Sequence, residues 1–321
     1  MTVTLGKIRE AQSRIGAHVV ETPLHRAHAL DRFLGCEVYL KLENTQVTGA
    51  FKYRGAISKI LKLSNAERQR GIITASSGNH GKALAHAARE LGIEATVVIP
   101  DTAPPFKASA IEQLGAHIVQ TEVTERFAVS ERMAKENGYT LFHPYDDDDI
   151  MAGQGTVGLE LMAQHPSLDT VIVPTSGGGL LGGILTAIKE SASGIRIFGA
   201  EPAAVPRYSE SLEHGGRMKV ESRSTIADAL VSVQPGARNF PVVQKYADGM
   251  LKAGDESILK AMKMLLMEGK ILAEPSAAVG LAAVLEDAYA PERDEKVCFV
   301  ISGGNVGFDQ LGQLENIRYD I

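Results

Sequence analysis

The chain has 321 residues and a formal net charge of −6, and 44% of its residues are hydrophobic. A chain of this length can bury a sizeable core and is expected to form two lobes of roughly 150 residues each. The acidic balance argues against nucleic acid or an anionic membrane as the main partner. The only cysteines, Cys36 and Cys298, are far apart in the sequence. They predict neither a disulfide framework nor a metal cluster, and they suit a reducing compartment.

Short β-rich runs alternate with longer helical patterns along the chain. Strands are predicted at 38–42, 71–76, 95–100, 117–121, 170–174, 196–200 and 297–302. Helical spacing of apolar residues lies between them, for example at 81–91 and 257–269. This alternation predicts crossover connections and a mainly parallel sheet, so the fold class is α/β.

Two features predict a cytoplasmic location. The first residues, MTVTLGKIREAQSRI, lack the basic and then apolar pattern of a signal peptide. The uncharged stretch at 170–188 contains Pro174 and several glycines, which favour a strand, a turn and a helix over a membrane span. We therefore predict a cytoplasmic protein with no membrane partner.

The stretch TGAFKYRGA at 48–56 places two cations, Lys52 and Arg54, where a helix is predicted to begin. A helix N-terminus carries a partial positive charge, which normally favours acids there. A lysine beside this terminus and beside a second cation is expected to have a lowered pKa. A neutral lysine amine can form a Schiff base with an aldehyde, and two cations also attract phosphate and carboxylate groups.

A second turn, SSGNHG, joins the strand at 71–76 to the next helix. Gly78 permits close backbone approach, and Ser76, Ser77, Asn79 and His80 bring hydroxyl, amide and imidazole groups to the helix start. Such a turn suits a carboxylate ligand, and we call residues 76–80 the carboxylate loop. Taken alone, His80 is more typical of an ordinary packed or capping histidine. The turn is not a P-loop, because alanine follows Lys82 where a P-loop has serine or threonine.

The acidic run DDDD at 146–149 precedes another helical pattern. Acids at a helix N-terminus are favourable, and we prefer this interpretation to a metal site. The run also marks a plausible crossing between two domains.

The turn PTSGGGLLGG follows the strand at 170–174. Gly177, Gly179 and Gly182 fit the spacing G-x-G-x-x-G, and Glu201 follows the next strand. This pattern is typical of a dinucleotide site with an acid for the ribose. However, backbone N–H groups at a helix start bind any phosphate, and glycines also simply close tight turns. The sequence therefore predicts a phosphate loop at residues 176–180 and leaves its ligand open.

A third turn, VISGGNVG at 300–307, places Ser302 and glycines at another strand end. In an open parallel sheet, ligands bind where the carboxyl ends of the strands gather. A lysine, a phosphate loop, a carboxylate loop and a serine gathered there are together what pyridoxal phosphate requires.

At this point the chain resembles a known family. Its motifs match, in order, the threonine dehydratase and serine racemase branch of the fold type II (tryptophan-synthase-β-like) pyridoxal-phosphate enzymes. The matching motifs are TPL at 22, KLENTQVTGAFKYRGA at 41, SSGNHGKALAHAA at 76, AGQGTVGLE at 152, SGGGLLGG at 176, GAEP at 199, TIAD at 225, EPSAAVGLAA at 274 and SGGN at 302. They extend over nearly the whole chain.

The resemblance implies two open, twisted, mainly parallel sheet domains with the cofactor in the cleft between them. We expect a large domain at 1–65 plus 148–321 and a small domain at 66–147. No carboxy-terminal regulatory domain is expected after SGGN, and the protein is expected to be a homodimer or a higher homo-oligomer.

The resemblance also implies roles for individual residues. Lys52 matches the Schiff-base lysine, and Phe51 matches the residue that packs beside the cofactor ring. Asn79 matches the partner of the ring hydroxyl, and Ser302 matches the partner of the pyridine nitrogen. The carboxylate loop matches the substrate-carboxylate loop, in which Ser77 matches the acid–base serine of serine racemases. The cofactor phosphate is expected on Ser176, Gly177, Gly178, Gly179 and Leu180.

Three positions depart from the family pattern. Ser176 stands where the phosphate loop usually begins with glycine, but its hydroxyl can still donate to phosphate. Ala229 follows TIAD where glycine is frequent, which narrows the site. Serine racemase relatives hold a divalent metal with the glutamate of AEP, here Glu201, and a carboxylate six residues later. That later position is Arg207, and since an arginine cannot ligate a metal, no metal site is expected.

We therefore predict a pyridoxal-phosphate-dependent dehydratase that releases a 2-keto acid and ammonia from L-threonine, L-serine or a related β-hydroxy amino acid. Two alternatives use the same site, namely an amino-acid racemase and a 3-hydroxyaspartate dehydratase. A catalytically silent amino-acid-binding relative is disfavoured, because Lys52 is intact. A nicotinamide-dependent dehydrogenase remains a remote alternative, since it leaves the motifs at 48–56 and 76–80 unexplained.

Overall fold

The computed structural model describes residues 3–103, 105–192 and 194–319. Its strands are β1 (Leu24–Arg26), β2 (Glu37–Lys41), β3 (Ile72–Ala75), β4 (Ala95–Pro100), β5 (His117–Thr121), β6 (Thr140–Leu141), β7 (Thr170–Pro174), β8 (Arg196–Pro202), β9 (Gly249–Ala253) and β10 (Lys296–Val300). Its helices are α1 (Leu5–Ile15), α2 (His28–Leu34), α3 (Lys52–Ile60), α4 (Asn65–Arg70), α5 (Asn79–Glu90), α6 (Pro105–Glu112), α7 (Arg126–Asn137), α8 (Asp148–Gln164), α9 (Gly179–Lys189), α10 (Arg207–Glu213), α11 (Phe240–Tyr246), α12 (Asp255–Met267), α13 (Pro275–Leu285) and α14 (Phe308–Gly312). A short 3₁₀ helix spans Glu43–Thr45.

The strands form two separate sheets. The larger sheet has the order β1-β2-β10-β7-β8-β9, and the smaller has the order β5-β4-β3-β6. Among the strand pairs of the described residues, the edge pair β1–β2 is antiparallel and the others are parallel. The predicted α/β class with mainly parallel sheets is confirmed. The strands between residues 72 and 141 all belong to the smaller sheet, whereas the domain boundaries at 65/66 and 147/148 stay a prediction.

Most predicted strands lie where the sequence pattern placed them. The bounds agree at 95–100, 117–121 and 170–174, and β10 ends at Val300, two residues before the predicted end. The patterns missed β1, β6 and β9. The first two have three and two residues, which is too short for a period-two pattern. The third lies at the sheet edge, where apolar residues need not dominate.

The central strands of the larger sheet bury both of their faces. Ile172 and Phe299 pack in one core cluster with α12 and α13, while Val171, Val173 and Cys298 pack in another with α1, α8 and α9. Strands covered on both faces read as continuous apolar runs, which is why β7 and β10 were recognisable in the sequence. Cys36 and Cys298 are both buried and free.

The uncharged stretch at 170–188 forms β7, a turn and most of α9, as predicted. In the described part of the chain, none of the helices combines the length and the apolar character needed to cross a membrane.

The acidic run before α8 acts at that helix's N-terminus. The Asp147 side chain accepts hydrogen bonds from the backbone N–H groups of Asp149 and Ile150 at 2.9 and 3.1 Å. Asp148 and Asp149 lie in the first turn, where they favour the helix dipole. The predicted role of this run is confirmed.

Candidate active site

A cavity of about 650 Å³ lies where the carboxyl ends of strands from both sheets meet. Turns that follow β3, β7 and β10 all contribute to its wall. This is the position at which parallel sheets bind ligands. Every predicted site residue lines this cavity: Phe51, Lys52, Ser76, Ser77, Asn79, His80, Ser176, Gly177, Gly178, Gly179, Leu180 and Ser302. The fold thus brings together segments that are more than 200 residues apart.

Lys52 is the first residue of α3 and reaches into the cavity. Its Nζ donates a hydrogen bond to the Pro144 carbonyl at 2.7 Å. Burial lowers the pKa of this lysine to about 8, and the nearby Glu274 carboxylate opposes that shift. A substantial fraction of the amine is therefore neutral near physiological pH, which is what a nucleophilic lysine needs.

The prediction that Arg54 acts in the site as a second cation beside Lys52 is wrong. This arginine is fully buried away from the cavity, where its guanidinium binds the carboxylates of Glu43 and Glu160 at 2.7 and 2.5 Å. Residues two apart in a helix point about 200° from one another, so Arg54 faces the core when Lys52 faces the cavity. Desolvation, and not a second cation, lowers the lysine pKa.

The carboxylate loop leads directly into α5, which begins at Asn79. Gly81 lets the helix approach this loop, because a Cβ there would lie 2.1 Å from the carbonyl oxygen of Ser76. Burial lowers the pKa of His80 well below its usual value, so its imidazole is neutral. The loop therefore offers uncharged donors and the start of a helix to a carboxylate.

A chain of hydrogen bonds crosses the cavity wall beside Asn79. Asn79 Nδ2 donates to Glu274 Oε1 at 2.7 Å, and its Oδ1 accepts from Asn305 Nδ2 at 2.8 Å. Asn305 Oδ1 in turn accepts from Lys82 Nζ at 2.8 Å. Burial raises the pKa of Glu274 to about 7. Sequence reasoning missed this network, although Glu274 and Asn305 lie within the motifs EPSAA and SGGN.

The phosphate loop turns sharply before α9. Gly178 has φ +98°, a left-handed conformation, and a Cβ there would lie 1.9 Å from Tyr208 Oη. The Gly177 carbonyl accepts hydrogen bonds from Tyr208 Oη and Asn239 Nδ2, each at 3.0 Å. The first N–H groups of α9 lack partners within the helix, so the loop presents donors suited to phosphate.

Two hydroxyl residues and an aromatic ring complete this end of the cavity. Ser176 Oγ accepts from the Ser232 N–H at 3.4 Å, which leaves its own proton to donate. Tyr145 Oη is 2.8 Å from Ser232 Oγ, and the Tyr145 ring packs directly against Gly177. Tyr145 was not predicted, and the only signal for it was an aromatic residue in an otherwise polar loop.

Ser302 is buried just beyond the end of β10. Its carbonyl accepts from the Phe51 N–H at 3.0 Å, and a β-bridge joins Ala50 to Gly303. The third turn is therefore fastened to the segment that carries Lys52. This contact joins residues about 250 positions apart in the sequence.

The residues around Glu201 do not fit a divalent metal. Glu201 and Arg207 are both fully buried, with Arg207 Nη1 3.9 Å from Glu201 Oε2. The described residues contain no group of three or more His, Cys, Asp or Glu side chains placed to hold a metal ion. Glu201 also accepts the N–H groups of Tyr208 and Ser209 at 3.0 and 2.8 Å. It is thus engaged inside the protein and is not placed for a ribose hydroxyl in the cavity, which speaks against the dehydrogenase alternative.

Comparison with known proteins identifies the family. Residues 15–303 match the family described as pyridoxal-phosphate dependent enzyme. L-threonine ammonia-lyase of Thermotoga maritima is 39% identical over 316 residues, which cover 98% of this chain and 78% of the relative. Serine racemase of Oryza sativa subsp. indica is 40% identical over 310 residues, covering 95% and 91% of the two chains. The structure of maize serine racemase has a TM-score of 0.93 at 38% identity and covers 98% and 97%.

The chain belongs to the fold type II pyridoxal-phosphate-dependent enzymes. It is an enzyme similar to the threonine ammonia-lyases, or threonine dehydratases, and its cofactor is pyridoxal phosphate. The cavity fits this cofactor, since it combines a lysine of lowered pKa with a glycine loop at a helix start. The resemblance inferred from the motifs is confirmed.

Proposed function

We propose that this protein is an ammonia-lyase that removes the β-hydroxyl of L-threonine or L-serine and yields a 2-keto acid and ammonia. The observation that carries this proposal is Lys52, whose amine, with a pKa of about 8, lies in a cavity shared with the phosphate and carboxylate loops. Relatives named for threonine ammonia-lyase and serine racemase activity support this substrate class.

We assign binding roles to the loops in keeping with their chemistry. The phosphate loop, Ser176–Leu180, would hold the cofactor phosphate, and Phe51 would pack beside the ring. Asn79 would donate to the ring hydroxyl, and Ser302 would face the pyridine nitrogen. The substrate carboxylate would bind at the carboxylate loop, where neutral donors surround the start of α5.

Two side chains would move protons. Pyridoxal phosphate, when bound, supplies the electron sink that makes the substrate α-proton acidic. The Lys52 amine would take that proton at Nζ. The Ser77 hydroxyl, or the cofactor phosphate, would give a proton to the departing β-hydroxyl. The β-hydroxyl leaves as water, and the amino acid is released as an enamine. The enamine becomes an imine, which water hydrolyses to the 2-keto acid and ammonia.

Ser302 favours elimination over racemisation. A neutral hydroxyl at this position would not keep the pyridine nitrogen of the cofactor protonated, whereas a carboxylate would. Negative charge developing at the substrate Cα would then be weakly stabilised, and loss of the β-hydroxyl would remove that charge. Racemisation by Ser77 in the same cavity is a slower competing reaction.

The test is a screen of β-hydroxy amino acids for keto-acid release by the purified holoenzyme. L-threonine and L-serine are expected to yield 2-oxobutyrate and pyruvate, and Lys52→Ala is expected to lower both rates by about 100-fold or more. A wild-type holoenzyme that carries pyridoxal phosphate but releases no keto acid would contradict the proposal. The cytoplasmic location and the homodimer or higher oligomer also stay predictions.

A second candidate substrate is 3-hydroxyaspartate, and Arg126 favours it. Arg126 begins α7 and lines the cavity, with its Cζ 5.1 Å from the centre of the Phe127 ring. Burial lowers its pKa, and no acidic residue of the described ranges forms an ion pair with it. A partly desolvated guanidinium in a substrate cavity suits a second carboxylate.

Arg126→Met separates the two substrate classes. If a dicarboxylic amino acid is the main substrate, kcat/KM for 3-hydroxyaspartate should fall about 100-fold, as expected for loss of a charge-assisted contact. The value for L-serine should change little. Equal effects on both substrates would remove this candidate.

A further inference from the structure

Arg207 is a buried cation whose two terminal nitrogens donate to backbone carbonyls beside the cofactor cavity. Its Nη1 donates to the Thr175 carbonyl at 2.8 Å and its Nη2 to the Leu230 carbonyl at 2.5 Å. Thr175 immediately precedes the phosphate loop, and Leu230 belongs to the cavity wall at 228–232. One guanidinium therefore joins the strand end that begins the phosphate loop to the cavity wall at 228–232.

The neighbouring residue holds the same loop at a second point. Tyr208 Oη donates to the Gly177 carbonyl at 3.0 Å, and the Tyr208 N–H donates to Glu201 Oε2 at 3.0 Å. Carbonyls on both sides of Ser176 are thus held by buried donors from the first turn of α10. Peptide groups fixed in this way keep the loop in a single conformation.

The charge of Arg207 is balanced by Glu201, which lies 3.9 Å away and is equally buried. A buried carboxylate needs a cation or several hydrogen bonds to remain in the protein interior. In this chain the cation is part of the polypeptide. Arg207 stands at the sequence position where the family resemblance leads one to expect a metal-ligating carboxylate, and its guanidinium supplies a positive charge beside Glu201, so no second cation is required there.

We propose that Arg207 is a positioning residue, a built-in cation that orders the phosphate loop for cofactor binding without a divalent metal. The proposal rests on the assignment of Ser176–Leu180 to the cofactor phosphate. The planar fork of an arginine reaches two carbonyls at once, whereas a lysine is a compact point charge. Lysine at this position would keep the charge but lose one of the two contacts.

The experiment compares pyridoxal-phosphate binding by the apo forms of wild type, Arg207→Met and Arg207→Lys. The apparent Kd is measured by titration with the cofactor, and the ³¹P chemical shift of the bound phosphate reports the loop geometry. Arg223→Met is a matched control, because Arg223 is exposed and its ion pair, with Glu221, is also exposed. Each titration is repeated with EDTA and with added magnesium chloride.

We expect Arg207→Met to raise the apparent Kd about tenfold or more, consistent with the loss of hydrogen bonds from a charged donor. The ³¹P shift should change with it. Arg207→Lys should lie between Met and wild type, and Arg223→Met should match wild type. EDTA and magnesium should leave the wild-type Kd within about twofold, since no metal takes part.

Several outcomes overturn the inference. A folded Arg207→Met protein with an unchanged Kd and ³¹P shift would show that the guanidinium does not position the loop. A wild-type Kd that rises with EDTA and recovers with magnesium would show that a metal is needed. This titration uses wild type alone, so it tests the inference even if both Arg207 variants fail to fold. The variant Gly178→Ala distinguishes the inference from the phosphate-loop assignment on which it rests. If neither Gly178→Ala nor Arg207→Met changes the Kd, the phosphate-loop assignment fails and the inference fails with it. If Gly178→Ala raises the Kd and Arg207→Met does not, only the inference fails.

Discussion

Lys52 and Arg54, two residues apart at the start of α3, serve opposite sides of that helix. Lys52 Nζ lies in the cavity and donates to the Pro144 carbonyl at 2.7 Å. Arg54 is fully buried and binds Glu43 and Glu160, and Glu160 also binds Lys41 at 2.6 Å. The arginine thus anchors the first turn of the helix in the protein core, and the lysine projects from that anchored turn into the cavity.

Covalent attachment of the cofactor should occur at Lys52. Reduction of the holoenzyme with borohydride, followed by peptide mapping, should place the adduct on the peptide that contains FKYR. Lys52→Ala should lose turnover by about 100-fold or more, as expected when a proton-transfer group is removed. Lys82 also lines the cavity, so an adduct on Lys82 would show that the wrong lysine was assigned.

Removal of the buried Arg54 guanidinium should lower the free energy of unfolding strongly. Arg54→Met leaves Glu43 and Glu160 buried without their main partner, which should lower the free energy of unfolding by about 3–5 kcal/mol. Arg32→Met is the control, because the Arg32 side chain is 58% exposed and its ion pair with Glu268, at 3.5 Å, is a surface contact. Its effect should be about 1 kcal/mol or less. Urea denaturation of the apo proteins measures both, and equal effects would contradict the prediction.

Attachment of the cofactor should become faster as the pH rises through about 8. The pKa of Lys52 is lowered to about 8, and only the neutral amine is nucleophilic, so the reactive fraction grows across this range and then levels off. Glu274, with a pKa of about 7, is ionised there and raises the pKa of Lys52. Glu274→Gln should therefore move the midpoint to lower pH.

Rapid mixing of apoenzyme with pyridoxal phosphate, followed by absorbance at several pH values, measures this midpoint. Glu10→Gln removes an exposed acid on α1 and should leave the midpoint unchanged. A midpoint near 10, or one that Glu274→Gln moves upward, would show that burial and Glu274 do not set the lysine pKa.

The phosphate loop should not tolerate a side chain at Gly178. Gly178→Ala places a Cβ 1.9 Å from Tyr208 Oη at φ +98°, so the loop must move. The apparent Kd for pyridoxal phosphate should rise about tenfold or more, in keeping with a strain of at least 1–3 kcal/mol. Gly216→Ala is the control, because no atom lies within 4 Å of its Cβ position. A Kd that both variants leave at the wild-type value would contradict the loop assignment.

Ser77 should separate the two reactions of L-serine. We expect wild type to release pyruvate faster than it forms D-serine. Ser77→Ala should reduce D-serine formation about 100-fold, because it removes the proton-transfer group on the side of the substrate opposite Lys52. Pyruvate release should fall less. Chiral chromatography and a keto-acid assay on the same reaction give both rates. If wild type forms D-serine faster than pyruvate, the protein is better described as a racemase.

Much of this site was predictable because its parts are local. Glycines and hydroxyl residues at strand ends mark ligand turns, and each of these turns is encoded by consecutive residues such as SSGNH or SGGGL. The continuous apolar runs of β7 and β10 revealed buried parallel strands for the same local reason. These patterns were enough to predict the α/β class, the cofactor and part of the cavity lining, whereas Tyr145, Glu274 and Asn305 were missed.

The sequence by itself determined which turns carry the chemistry, and only the tertiary structure decided how the charged residues around them are used. Nothing near Arg54 in the chain shows that it meets Glu160, and nothing near Arg207 shows that it meets the Thr175 and Leu230 carbonyls. The direction of a helical side chain depends on which face of the helix is buried, and that is set by packing against distant segments. Charge interactions depend on the resulting distances and desolvation, which no local pattern contains.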